Sequence, residues 1–179
     1  MINQILIPAL DRVGDAYESG KIYLPQLLNA SKASQEAFSV IRTEIRKRGA
    51  PAAEKGKVIL ASVKGDNHDI GKNIVKVVLE NYGFRVYDLG KDVPAARVVE
   101  TAIAENVRLI GLSALMTTTL KSMEETIKAL RKSGHACKIM VGGAVLTESY
   151  AMQIGADYYA KDAKASADIA KKFFESEGE

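Results

Sequence analysis

Apolar and polar positions alternate along this chain in two different rhythms, and the change from one to the other divides it. From Ile2 to about Tyr17 the residues Ile2, Ile5, Leu6, Ala9, Leu10, Val13 and Tyr17 recur at helical spacing, with Gly14 and Gly20 punctuating the end. Pro8 breaks a helix interior but suits a first turn, so the regular part is expected to begin near Ile7 or Pro8. A second helical pattern runs from about Leu24 to Arg48 through Leu27, Leu28, Phe38, Ile41 and Ile45, with Pro25 in its first turn and Gly49 as its stop. Two helices alone bury too little surface to be stable, so this hairpin must pack on something else.

The stretch from Gly49 to Gly56 has the small residues, proline and charge of a linker, which puts a boundary between residues 1–50 and 51–179. Beyond it, short apolar runs at Val58–Val63, Arg85–Leu89, Leu109–Ser113, Ile139–Val141 and Asp157–Ala160 read as strands. They are separated by helical patterns at Lys72–Asn81, Ala95–Glu105, Leu120–Lys132, Thr147–Ile154 and Ala163–Phe174. Continuous apolar strands alternating with amphipathic helices predict an α/β, doubly wound, parallel five-stranded sheet of Rossmann or flavodoxin type, covered on both faces. Ligands of such sheets bind at the carboxyl ends of the strands, near the reversal of strand order, which points to the loops after strands one, three and four.

Composition narrows the classes. Of 179 residues 47% are apolar, enough for one main core and a small companion. The formal net charge is +3 with basic and acidic residues interspersed, so no electrostatic footprint for nucleic acid is present. No signal peptide and no 18-residue apolar run is seen, which argues against a membrane partner. Cys137 is the only cysteine, so no intrachain disulfide framework exists and a cytoplasmic setting is expected. Its neighbours suggest a small, half-buried packing residue, and His135 reads as a solvated loop residue.

The first of the three loops, Lys64 to Gly71, holds His68. A neutral imidazole ligates transition metals well, and Asp66 two residues earlier could take the proton-bearing ring nitrogen as its partner while Gly71 lets a bulky group approach the helix start. The same residues equally suit a capping loop in which Asp66 or Asp69 caps the helix and His68 is merely exposed. In the second loop Ser113, Thr117 and Thr119 could donate to a ligand or to Asp66, or cap the following helix. In the third, Gly142 and Gly143 leave room for a flat group or form an ordinary turn.

Taken together, Asp-x-His-x-x-Gly at 66–71, Ser-x-Leu at 113–115 and Gly-Gly at 142–143 resemble the cobalamin (vitamin B12)-binding domain family. The resemblance implies base-off cobalamin, carried as methylcobalamin, with His68 replacing the dimethylbenzimidazole tail as lower cobalt ligand, and Asp66 and Thr119 completing a hydrogen-bonded relay that exchanges a proton. Thr119 stands where methionine synthases carry serine. It further implies cofactor contacts from Gly65, Asn67, Asp69, Ile70 and Gly71, and contacts to the inserted tail from Ser113, Leu115, Thr117, Gly142, Gly143, Asp162 and Ala163. The hairpin segment Val13 to Leu27 resembles the last two helices of the four-helix cap preceding the cobalamin domain of methionine synthase and related corrinoid proteins. By that likeness Tyr17 and Leu24 shield the upper face of the cofactor, and the chain looks like an excised or truncated module.

The function this implies is the methyl-carrier module of a methionine-synthase-like methyltransferase. It would move methyl from methyltetrahydrofolate to homocysteine through cobalt(I) and methyl-cobalt(III), with methyl-donor, methyl-acceptor and reductive-activation partners on other domains or subunits. A stand-alone corrinoid protein of a methanol, methylamine or methoxy-aromatic system shares cap, motif and fold. A cobalamin-dependent sensor is a third reading. A mutase subunit, which would lack the hairpin, and a flavodoxin-like signalling domain, which would need an acidic phosphorylation pocket, fit less well.

Overall fold

A computed structural model describes residue 5, residues 7–47 and residues 55–176. Two helices come first, α1 (Ile7–Glu18) and α2 (Leu24–Lys47). Each carries its proline at the second helical position, where no intrahelical donor is lost. The turn between them uses Gly20 at φ +71°, and Tyr23 N–H donates to Gln26 Oε1 at 2.6 Å, satisfying a donor at the start of α2. The expected boundary near residue 50 lies outside the described residues, as do the helix-forming positions Ile2 and Leu6.

Strands and helices then alternate as β1 (Lys57–Ser62), α3 (Ile70–Asn81), β2 (Arg85–Asp88), α4 (Ala95–Ala104), β3 (Leu109–Ser113), α5 (Leu120–Lys132), β4 (Lys138–Gly142), α6 (Glu148–Gln153), β5 (Tyr158–Tyr159) and α7 (Ala163–Ser176). All five strands are parallel, in the order β2-β1-β3-β4-β5. Strand order reverses at β1, whose neighbours lie on opposite sides of it, so the crevice between the β1 and β3 loops is where a ligand belongs.

Alternation of side chains sorts the two faces. Ile59, Ala61, Ile110, Leu112, Ile139 and Val141 point to one core, completed by Val98 of α4 and Met123, Ile127 and Leu130 of α5. Val58, Leu60, Leu109 and Met140 point to the other, with Leu79 of α3 and Ala167, Ala170 and Phe173 of α7. Burying each fully enclosed Ile or Leu is worth roughly 1.5–3 kcal/mol against leaving it exposed. The hairpin rests on this second side, α2 against α3, with Leu27 buried.

Toward the carboxyl ends, the second face changes character. The register places Leu60, Gly111 and Met140 in one row across β1, β3 and β4, and Ser62, Ser113 and Gly142 in the next row on the same face. Where a parallel sheet ordinarily carries branched apolar side chains, four of these six positions are glycine or serine. Helices α3 and α7 therefore stand off from the sheet there, and a cavity opens.

Candidate functional site

That cavity has a volume of about 710 Å³, within the range of small-molecule sites at roughly 300–1,000 Å³. Its floor is Leu60, Gly111, Ser113, Met140 and Gly142, its walls are Ile74 and Val75 of α3 and Ala163 and Ser166 of α7, and its mouth holds Asn67, His68, Asp69, Ile70 and Gly71. Gly143, Leu115, Asp162 and Tyr17 close the remaining sides. Ile70 is 76% exposed and Leu115 41%, so two apolar side chains flank the imidazole at the surface.

His68 is held from beneath. Its Nδ1 lies 2.9 Å from Asp66 Oδ1, and the same oxygen accepts His68 N–H at 3.0 Å. The other carboxylate oxygen accepts Leu115 N–H at 2.6 Å and the Thr119 hydroxyl at 2.9 Å, both from the loop after β3. The Asp66 side chain is fully buried, which alone would raise its pKa. The donors from Leu115, His68 and Thr119 outweigh burial and hold the carboxyl down at about 2. A carboxylate so fixed in its ionised form assigns the ring proton to Nδ1 and leaves the Nε2 lone pair free. The side chain of His68 is 51% exposed, with that nitrogen turned away from its anchor.

Neither capping alternative describes these residues. Asp69 occupies the N-cap of α3 without a side-chain cap bond, and Asp66 bonds the β3 loop instead. Thr119 precedes α5 without capping it, its hydroxyl lying between Asp66 Oδ2 and Met116 O at 2.9 and 2.8 Å. The expected Asp66–Thr119 contact is thus present, and it helps hold the Asp66 carboxyl in its ionised form.

Three expected cofactor contacts fall elsewhere. Gly65, at φ +84°, forms the turn beneath the loop, and its N–H donates to Asp92 Oδ1 at 2.7 Å. Thr117 is exposed in a 3-10 turn (Thr117–Thr119) outside the cavity. Leu24 lines a separate apolar cavity of about 530 Å³ between the hairpin and Val78 and Tyr82, because α2 packs on α3 rather than over His68. Only Tyr17 borders both cavities among the predicted hairpin residues. His135 is not a free loop residue, since its Nε2–H donates to Val107 O at 2.8 Å. Cys137 is half-buried against the core, and burial pushes its thiol pKa up.

Several site residues escaped the sequence reading. Gly111 lines the cavity floor, and a Cβ there would lie 2.6 Å from Leu60 Cδ2. Lys72, almost wholly buried in the cavity wall, donates to Asp88 Oδ1 at 2.5 Å. Burial would raise the Asp88 pKa, but this bond and the Gly90 N–H hold it below the usual carboxylate range. Ser62 donates to His68 O at 2.7 Å. A strand-end serine and a first-turn lysine have no pattern of their own; strand register was the only available clue.

A family model described as a B12 binding domain matches residues 56–168, and a second with the same description matches residues 1–42. The chain belongs to the B12-binding family. It is 40% identical over 174 residues to dimethylamine corrinoid protein 2 of Methanosarcina mazei, covering 96% of this chain and 81% of the relative. Among solved structures it resembles the methanol:cobalamin methyltransferase complex MtaBC of Methanosarcina barkeri (TM-score 0.84, 30% identity, 97% of this chain and 66% of that one). It also resembles a cobalamin-binding protein of Desulfitobacterium hafniense DCB-2 (TM-score 0.78, 34% identity, 92% and 77%).

The site suits a corrinoid on its own terms. Among the described residues no group of three or more His, Cys, Asp or Glu side chains could hold a bare metal ion. One oriented imidazole beside a large cavity is compatible with a cofactor that carries its own metal.

Proposed function

We propose that this chain is a corrinoid methyl carrier that binds base-off cobalamin with His68 Nε2 as lower cobalt ligand and the nucleotide tail in the cavity beneath α3 and α7. The observation that carries the reading is the 2.9 Å contact between His68 Nδ1 and a buried, ionised Asp66, which leaves one imidazole lone pair at the mouth of that cavity. When bound, the cofactor supplies a cobalt centre that accepts a methyl group from one partner and delivers it to another.

The protein's own residues do the rest. Asp66 fixes the tautomer of the ring, and Thr119 and Leu115 N–H hold Asp66. Ile70 and Leu115 offer apolar support beside the imidazole, and the glycine and serine rows admit a flat group against the sheet. Tyr17 is the hairpin residue at the cavity and the candidate for its outer side.

The methionine-synthase-like reading is the less supported of the two carrier readings. The relatives reported above are a dimethylamine corrinoid protein and a methanol:cobalamin complex, which favours a carrier serving a methylamine or methanol type of methyltransferase held on separate subunits.

The test is to mix the chain with hydroxocobalamin and record the visible spectrum with and without His68→Gly. The expected outcome is a His-ligated spectrum for the natural chain and a water-ligated one for H68G, and identical spectra would overturn the reading. Demethylation of chain-bound methylcobalamin can then be compared with methylamine-type, methanol-type and methyltetrahydrofolate-type partner enzymes.

A further inference from the structure

Asp66 cannot by itself define where His68 points. Both of its bonds to that residue, from the backbone N–H and from the ring Nδ1, converge on a single oxygen, Oδ1. Two bonds meeting at one atom form a pivot, and the residue could swing about it with both bonds kept. A third fixed point, away from that oxygen, is needed to stop the swing.

Ser62 supplies it. Its hydroxyl donates to the His68 carbonyl at 2.7 Å. The serine is wholly buried, and both of its backbone groups are tied to the segment after β2: Ser62 N–H donates to Gly90 O at 3.0 Å, and Ser62 O accepts Val93 N–H at 3.0 Å. The anchor is therefore part of the sheet itself. With this bond, the N–H, the carbonyl and Nδ1 of His68 are all engaged, and Nε2 is the one polar atom without a partner among the described residues.

We propose that Ser62 is a positioning residue that fixes the direction of His68 Nε2, acting through the His68 backbone rather than touching the cofactor. The proposal deepens the cobalamin reading and rests on it for its consequence, but the geometry concerns the protein alone. Removing the hydroxyl frees the pivot while leaving the Asp66 contacts in place. A partner that orients a metal-binding histidine typically matters by 10–100-fold in affinity, and an effect through the backbone is expected at about the lower end, tenfold.

The experiment uses Ser62→Ala, Ser62→Thr, which keeps the hydroxyl, and Ser62→Cys, nearly the same size with a weaker donor. Nitrogen-15 NMR of the His68 ring in the cofactor-free chain reads the tautomer, ring-proton NOEs read its direction, and titration with hydroxocobalamin reads the His-ligated fraction and the affinity. Expected are the Nδ1–H tautomer in every variant, since the Asp66 contacts remain, one fixed set of ring NOE signals and full ligation in the natural chain and S62T, averaged ring NOE signals and about tenfold weaker His-ligated binding in S62A, and an intermediate S62C. Ring signals and ligation in S62A equal to those of the natural chain would overturn the proposal, as would an S62T that fails as S62A does. Should S62A not fold, the contrast of S62C with S62T decides in the same way. If the natural chain takes up no cobalamin yet S62A still disturbs the ring signals, the cofactor reading falls and the role of Ser62 stands.

Discussion

At the scale of single residues, Asp66 carries the most consequence. Its carboxyl titrates at about 2 in the folded chain against 3.8 for the free group. A depressed carboxyl pKa stabilises the folded state above the unfolded value, and that stabilisation, on the order of 2 kcal/mol, fades as pH falls from about 4 through about 2. Asp66→Asn should therefore lower the stability of the cofactor-free chain at pH 7 and flatten this part of the acid-unfolding curve, as measured by urea titrations at several pH values. Thr119 offers a finer test. Thr119→Val removes the one hydroxyl proton that lies between buried Asp66 and the Met116 carbonyl, at a cost of roughly 1–3 kcal/mol, while Thr119→Ser should stay near the natural value.

At the scale of elements, the glycine positions separate fold from site. Gly143 sits at φ +137°, and a Cβ there would come within 1.9 Å of Ala114 O, a backbone atom that cannot move aside. Gly143→Ala should destabilise the chain by at least about 2 kcal/mol in thermal unfolding. Gly111 differs, because its Cβ would meet the end of the flexible Leu60 side chain beside the cavity. Gly111→Val should leave the fold intact but fill the floor, weakening binding of complete cobalamin while sparing cobinamide, which has no nucleotide tail. Equal losses for both ligands would argue against tail insertion.

Much of this was legible in the chain. The five strands and their helices follow from the change of apolar rhythm, and the observed ends fall within a few residues of expectation. Asp66 and His68 were readable as a possible pair, but the residues alone left a capping loop equally open, and only the resemblance to the cobalamin-binding family singled out Thr119 with them. Gly111 was not readable, because its significance depends on strand register, and Ser62 and Lys72 were not, because theirs depends on contacts with His68 and Asp88 that one-dimensional patterning does not give. That Leu24 lines the second cavity was not readable for a related reason: a helical stripe shows which side is apolar, not which neighbour it meets.

For the whole molecule, the strongest charge cluster lies at the opposite end of the sheet from the site. Asp157 accepts from Arg131, Lys138 and Ile139 N–H, joining α5, β4 and the approach to β5. Burial would raise its pKa, but these partners hold it below the usual range, so it too adds acid sensitivity to the fold. The hairpin is attached differently. The Lys164–Asp15 pair joins it to α7 but is partly exposed, so Lys164→Ala should change stability by less than about 1 kcal/mol. Leu27→Ala removes a buried anchor and should cost about 2–5 kcal/mol, visible as faster hydrogen exchange in α1 and α2. No helix among the described residues is long and apolar enough to cross a membrane.

The Asp66 carboxylate draws its donors from two loops that only the pairing of β1 with β3 brings together. Parallel pairing of strands joined through a crossover is among the slower events in folding, since distant segments must meet before any contact rewards them. Until that moment Asp66 lacks the donors of the β3 loop, and its local contact with His68 has no support from the far side. The proposed cobalamin site therefore exists as a unit only once the middle of the sheet is complete.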